Sequence, residues 1–303
     1  MSVSYEIVDR IFDTLISAHT PVKPLFSDCL FAEGPAYFAA GRYLLWSDIP
    51  NDRILRLDET DGSISIFRQN CGFPNGNTVD REGRLVTCEH SGRRVSRTEH
   101  DGTVQTLVDR YDGKRFNSPN DAVVKSDGTI WFTDPTYGIS DDMSGQKAES
   151  EIGQCNVYRF DPSTGSLAVV ITDMVMPNGL AFSPDERILY VVDSGRTEGD
   201  EFPAHLRAFS LRDDNSLAGG DPVADCGKGI YDGLRIDTMG RIWISAGDGV
   251  HCYEPGGALL GKILLPEIAG NLCFGGPRRN LLYICATSTL YLARVKVNGD
   301  RTV

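Results

Sequence analysis

No run in this 303-residue chain approaches the ~20 consecutive apolar residues that a membrane helix needs. The opening MSVSYEIVDR (1–10) has no basic-then-apolar export segment, which predicts a cytoplasmic protein with reduced thiols. Eight cysteines are present, at 29, 71, 88, 155, 226, 252, 273 and 285, and none forms a CxxC pair. Zinc-ribbon and thioredoxin-like readings therefore have no support, and the thiols read as core filler. Positive charge is scarce: 30 Lys and Arg stand against 42 Asp and Glu, for a net charge of −12 and a pI near 4.9. That balance argues against nucleic acid and anionic membrane surfaces as partners. There is no GxSxG, and the five histidines have no recognisable triad context, so a serine hydrolase is excluded. The glycine-rich spots lie between short strands, not in a strand–GxGxxG–helix unit, so a nicotinamide enzyme is excluded too.

What is present is a repeat. A turn of Gly, Asp or Asn type is followed by a short apolar strand, beginning at Gly41 (GRYLLWSD), Gly83 (GRLVTCEH), Gly128 (GTIWFTDP), Arg187 (RILYVVDS), Gly240 (GRIWISAG) and Asn280 (NLLYICAT). The intervals are 42, 45, 59, 53 and 40 residues. Second strands are expected at 53–58, 93–100, 156–161, 205–211, 249–255 and 289–295, and third strands at 63–67, 103–108 and 166–171. Spacing of roughly 40–50 residues with several strands per unit is the signature of propeller blades, whose faces are buried only by packing around a ring. The expectation is an all-β, six-bladed β-propeller occupying 1–303 as one domain, with 1–25 as a closing or capping segment. The longer intervals place insertions at 137–153 and 195–204. Residues 5–16 read as a strand followed by a short helix. A large sandwich or irregular β-domain is the competing fold.

The segment ahead of each repeat core should line the ring's axis. These segments are FAEGPAYF (31–38), FPNGNTVD (73–80), NSPNDAVV (117–124), MPNGLAFS (176–183), YDGLRIDT (231–238) and AGNLCFGG (269–276). Each sets an oxygen-bearing residue beside Gly or Pro: Glu33, Asn75 or Asn77, Asn120, Asn178, Asp232 and Asn271. PNG steps are ordinary turn chemistry, yet turn chemistry does not explain an oxygen donor in all six repeats. Carboxylates and amide oxygens converging on an axis suit a hard divalent cation, Ca²⁺ first, with Mg²⁺ or Mn²⁺ as substitutes. No converging His or Cys set favours a nitrogen–sulfur zinc site.

At these residues the sequence resembles the gluconolactonase, regucalcin (senescence marker protein) and luciferin-regenerating enzyme family, and within it the bacterial gluconolactonase-like branch. The stretches that carry the resemblance are AEGPAYF, LLWSDIPNDRILR, NSPNDAVV, TDPTYGI, MPNGLAFSPDERILYVVDS, YDGLRIDTMGRIWIS and FGGPRRNLLYICAT, in order across residues 20–295. The resemblance implies a metal-dependent hydrolase opening a sugar lactone. It implies Glu33, Asn178 and Asp232 as ligands of a divalent cation (Ca²⁺, or else Mg²⁺, Mn²⁺ or Zn²⁺), Asn120 as a contact to metal or substrate, and Asp232 as the general acid/base. It also leaves Asn75, Asn77 and Asn271 as turn residues or neighbours of the ligands. In one respect the sequence departs from the family: regucalcin-like members carry a sugar-contacting Arg where this chain has Ser118, with Arg115 nearby.

The expected chemistry is attack of water on a lactone carbonyl with Asp232 moving the proton. Tyr137 would shape the pocket wall and His90 would bond a sugar hydroxyl; packing roles are the alternative for both. Hydrolysis of other esters or phosphotriesters at the same cation is a second reading, and a non-catalytic cation-binding or interaction propeller a third. The sequence leaves the oligomeric state open.

Overall fold

Six antiparallel sheets, four of them built wholly of strands consecutive in the chain, follow one another around a ring in the computed structural model, which describes residues 4–17, 20–227 and 229–300. The chain is a six-bladed β-propeller. Blade 1 comprises Ala32–Phe38, Tyr43–Asp48, Arg53–Asp58 and Ile64–Gln69 from axis to rim, and the other blades repeat the plan. The inner strands of blades 2 to 6 are Pro74–Val79, Ala122–Val124, Pro177–Phe182, Tyr231–Ile236 and Ala269–Gly275. Each touches the inner strands on both sides, and that of blade 6 returns to blade 1, so the ring is closed.

The N-terminal segment supplies two strands and a helix. Ser4–Ile7 adds a fifth strand to the rim of blade 5, and the helix Arg10–Leu15 buries Phe12 and Leu15 near it. The strand that closes the ring is a different one: Lys23–Phe26 pairs with Thr289–Arg294 and becomes the outermost strand of blade 6. Residues 1–3, 18 and 19 of the expected closing segment lie outside the described residues.

The apolar interior is divided into six seams, one for each pair of neighbouring blades. Strict alternation along the strands produces this division. In blade 1, Leu44 and Trp46 enter the seam with blade 6, while Leu45 enters the seam with blade 2. In blade 3, Ile130 and Phe132 face blade 2 and Trp131 faces blade 4. Trp46, Trp131 and Trp243 sit at 0% exposure on the second strands of blades 1, 3 and 5. Truncating any of them to Ala would cost about 3–5 kcal/mol. Six of the cysteines, Cys29, Cys71, Cys88, Cys252, Cys273 and Cys285, are buried in these seams.

Both expected insertions are present as loops between second and third strands. Besides Lys23–Phe26 and the short helix Tyr137–Ser140, further elements were not read from the sequence. One is a small hairpin of Arg110–Tyr111 with Lys114–Arg115. The others are the outer strands of blades 4 and 5, Leu217–Asp225 and Leu259–Leu264. Gly219, Gly220 and Pro222 disguise the first of these; an outer strand tolerates them because its far edge needs no ladder partner, and the pairing is irregular there.

Candidate active site at one end of the channel

A recurring carboxylate aims the residues at the axis. At the end of the second strand, Asp48, Asp134 and Asp193 each accept two consecutive backbone N–H groups just ahead of the inner strand: those of Leu30 and Phe31, Asn117 and Ser118, and Val175 and Met176. The SD, TDP and VDS steps of the repeat thus fix where the chain enters the channel. In five blades the ladder then slips by a bulge, between Glu33 and Ala36, Pro74 and Asn77, Pro177 and Leu180, Tyr231 and Leu234, and Ala269 and Asn271. Bulges re-aim side chains, and these coincide with the axial residues.

The glycine that follows an axial residue has a packing cause. A Cβ on Gly34 would lie 2.1 Å from the Asn75 carbonyl oxygen, one on Gly76 2.5 Å from that of Asn120, and one on Gly179 2.3 Å from that of Asp232. Neighbouring inner strands therefore approach too closely for a side chain. Hydroxyls tie the same chains together: Ser47 donates to the Asn75 carbonyl, Ser194 to that of Tyr231 and Ser245 to that of Gly270, at 2.7, 2.7 and 2.5 Å.

Glu33, Asn120, Asn178, Asp232, Tyr137 and His90 all line one cavity, of about 600 Å³ including its open mouth. Asn75, Ser144 and Thr197 complete its polar side, and Phe31, Ile49 and Ile230 form an apolar wall. Glu33, Asn75, Asn120 and Asn178 are nearly sealed from solvent, at 3–5% exposure, whereas Asp232 is partly exposed. Tyr137 opens the short helix Tyr137–Ser140 and shares a hydrogen bond with Thr197 at 3.1 Å. His90 lines the cavity, but its ring nitrogens are engaged by Asn75 and the Ser144 carbonyl, both at 2.8 Å. It therefore has no nitrogen to spare for a sugar hydroxyl. Ser118 is buried and braces a turn, donating to the Pro135 carbonyl and accepting from the Gly138 N–H. Arg115 is not among the lining residues.

Two charged residues that the sequence reading passed over lie immediately beneath. Asp121 stands in blade 3 where four other blades carry the second-position glycine, so it puts a carboxylate in the channel. Its Oδ1 accepts the Ala122 N–H, and its Oδ2 receives Asn271 Nδ2 at 3.4 Å and lies 3.6 Å from Arg235. Asn271 also donates to Glu33 Oε2 at 3.0 Å. The departure of NSPND from the xNG pattern was the available signal for Asp121. Arg235, three positions past Asp232, carried none.

Of the three carboxylates Glu33, Asp121 and Asp232, only Glu33 and Asp121 feel the Arg235 guanidinium. Burial pushes the Glu33 carboxyl up to about 8, and the charge of Asp121 adds to the shift. Burial, then Glu33 and Asp121, hold the Asp232 carboxyl well above its usual range, with the Asn178 amide opposing. Asp121 is raised by burial and held back chiefly by Arg235. Buried negative charge without a counter-charge is costly. Moreover, Glu33 Oε1 is buried and has no hydrogen-bond partner. This donor set fits a hard divalent cation. Among the described residues no three His, Cys, Asp or Glu side chains cluster closely enough to hold an ion unaided. Amide oxygens such as those of Asn120 and Asn178 would be needed beside the carboxylates.

Fold and site together define a six-bladed propeller with an oxygen-lined pocket at one end of its channel. The family described as SMP-30/Gluconolactonase/LRE-like region matches residues 31–288, and the chain belongs to that family. A gluconolactonase from Zymomonas mobilis is 31% identical over 309 aligned positions, covering 95% of this chain and 85% of the relative. The solved structure of a gluconolactonase from Xanthomonas campestris is 36% identical with a TM-score of 0.90, over 96% of this chain and 94% of that one. The calcium-binding protein regucalcin from Agrobacterium tumefaciens shares the fold at 18% identity, with a TM-score of 0.75 over 99% and 96% of the two chains. No helix among the described residues is long and apolar enough to cross a membrane.

Proposed function

We propose that the protein hydrolyses a sugar lactone to the free hydroxy acid at a divalent cation held by Glu33, Asn178 and Asp232, with Asn120 beside them. The observation that carries this reading is Glu33 Oε1, a buried carboxylate oxygen without a hydrogen-bond partner on a residue that lines the pocket. The likeness to gluconolactonases supports the substrate class. The fold shared with a calcium-binding protein supports Ca²⁺ as the first ion to test, with Mg²⁺, Mn²⁺ and Zn²⁺ behind it.

When bound, the cation would supply Lewis-acid polarisation of the lactone carbonyl. Asp232 takes the proton of the attacking water on a carboxylate oxygen. As the carbonyl carbon gains the new C–O bond, its bond to the ring oxygen breaks. Asp232 then returns the proton to that oxygen, leaving a hydroxy acid. Asn120 orients the substrate. Tyr137, closing the wall toward Thr197, limits its size and sheds water from the pocket.

Acid release from an aldonolactone, corrected for the spontaneous rate, tests the proposal before and after chelation. Full turnover in the metal-free protein would falsify the cation's role. Wild-type turnover by Asp232→Asn would remove the acid/base assignment alone. An inert response to lactones alongside cleavage of aryl esters or phosphotriesters would favour the second hydrolase reading, and no turnover on any ester the non-catalytic one.

A further inference from the structure

The contact between His90 and Asn75 has a direction that elementary chemistry fixes. The Ser144 carbonyl can only accept, so the imidazole must carry its proton on Nδ1, 2.8 Å away. A neutral ring then has a bare Nε2, which can only accept, and Asn75 presents its amide nitrogen there at 2.8 Å. Neutrality follows from surroundings that seal the ring to 1% exposure and push its pKa down to about 4, against the partial help of the Ser144 carbonyl and Asp141.

The remaining end of the Asn75 amide is therefore its oxygen. Oδ1 takes no hydrogen bond among the described residues, and it is not sealed into the protein as Glu33 Oε1 is. Asn75 lines the cavity together with Ser144, Tyr137 and Thr197. Its backbone is pinned, because its carbonyl receives both the Ser47 hydroxyl and the Asn77 amide. His90 is pinned as well: its backbone N–H donates to the Phe73 carbonyl, and the helix Tyr137–Ser140 packs on the side chain so closely that a Cβ on Gly138 would lie 2.4 Å from His90 Cβ. A fixed acceptor in a polar wall calls for a donor on the ligand.

We propose that Asn75, locked by His90, accepts a hydrogen bond from a hydroxyl of the substrate and so selects a polyhydroxylated lactone over one lacking that hydroxyl. Asn75 is the group that touches substrate; His90 is a positioning residue that acts through it and ties it to the 137–153 loop at Ser144. The proposal rests on the lactone reading above.

The test compares kcat/KM on an aldonolactone with that on its monodeoxy analogues, for wild type, Asn75→Ala, His90→Gln and His90→Leu. Wild type should disfavour one analogue by roughly tenfold or more, the order of one hydrogen bond left unmade. Asn75→Ala should fall on the parent lactone to the level of that analogue, bringing the ratio to about one. His90→Gln, which can still accept from Asn75, should keep most of the ratio. His90→Leu should lose it through KM with kcat largely retained, and with a lowered thermal midpoint because the Ser144 carbonyl and the Asn75 amide lose their partner. An equal loss on parent and analogues in Asn75→Ala overturns the proposal, because a merely structural role moves both together. If wild type opens no lactone, the functional reading fails separately. Calorimetric binding of the aldonate and its deoxy forms to the same variants then decides, and equal dissociation constants for wild type overturn the inference. Histidine ¹⁵N spectra give a further check: an Nε2–H tautomer at His90 overturns it.

Discussion

Asp121 of blade 3 and Asn271 of blade 6, on opposite sides of the ring, meet across the channel axis at 3.4 Å. The same amide nitrogen lies 3.0 Å from Glu33 Oε2, so one donor serves two buried carboxylates. Its oxygen accepts the Leu272 N–H at 2.8 Å, which leaves it no freedom to flip. We predict that Asn271→Leu lowers stability by about 1–3 kcal/mol, the penalty for leaving buried acceptors unmet. Denaturant unfolding measures it; an unchanged midpoint would contradict the assigned bridge.

Cation loading should be visible without any substrate. Chelated protein is predicted to gain thermal stability on addition of Ca²⁺, by about 2.7 kcal/mol at a hundredfold excess over the dissociation constant. Glu33→Gln should weaken binding by at least tenfold in calorimetry, since it removes the charge and the unpartnered oxygen together. If stripped wild type responds to none of Ca²⁺, Mg²⁺, Mn²⁺ and Zn²⁺, the cation assignment is wrong.

The close approach of the inner strands separates two glycine substitutions. Gly179→Ala brings a methyl group to 2.3 Å from the Asp232 carbonyl oxygen, whereas Gly83, at φ +78°, has open space around its Cβ position. Gly179→Ala should cost about 3 kcal/mol and move Asp232, and Gly83→Ala only about 1 kcal/mol, from backbone strain. Equal losses would show that strand spacing at the axis is not the constraint.

Acid should weaken the fold through His90. Its pKa is about 4 in the folded protein against 6.5 for an ordinary histidine, so the unfolded chain takes up the proton first. The stabilising difference is whole above about pH 6.5 and is lost as pH falls toward 4, by at most about 3 kcal/mol. His90→Gln removes this component. The gap in unfolding free energy between wild type and variant should therefore shrink from pH 7 to 4.5; a constant gap would mean the ring is not held neutral by burial.

Much of the propeller was legible because its causes are local. Period-two alternation around Trp46 or Trp131 and a turn every blade are written in consecutive residues, as are the axial steps ahead of each core. Leu217–Asp225 was hidden because an outer strand can carry two glycines and a proline that an inner strand could not. The pocket residues Glu33, Asn120, Asn178, Asp232, Tyr137 and His90 were found in the sequence and share one cavity. The charge balance beneath them was not legible. Asp121, Asn271 and Arg235 meet only because ring closure puts blades 3, 5 and 6 side by side or face to face, and no sequence spacing encodes that meeting. His90 shows the complementary gap: its type suggested a substrate contact, but only its two partners reveal that its hydrogen-bonding capacity is already used.

The pairing of Lys23–Phe26 with Thr289–Arg294 also bears on how the protein is made. A ribosome releases the first of these strands long before the second. Blades 1 to 5 can each pair their own consecutive strands as they emerge, with local contacts that form fast. The early strand meanwhile waits with its edge open, exposed to pairing with the same strand of another nascent copy. The seam between blades 6 and 1 is thus the last to form and the place where a stalled or truncated chain is most prone to associate.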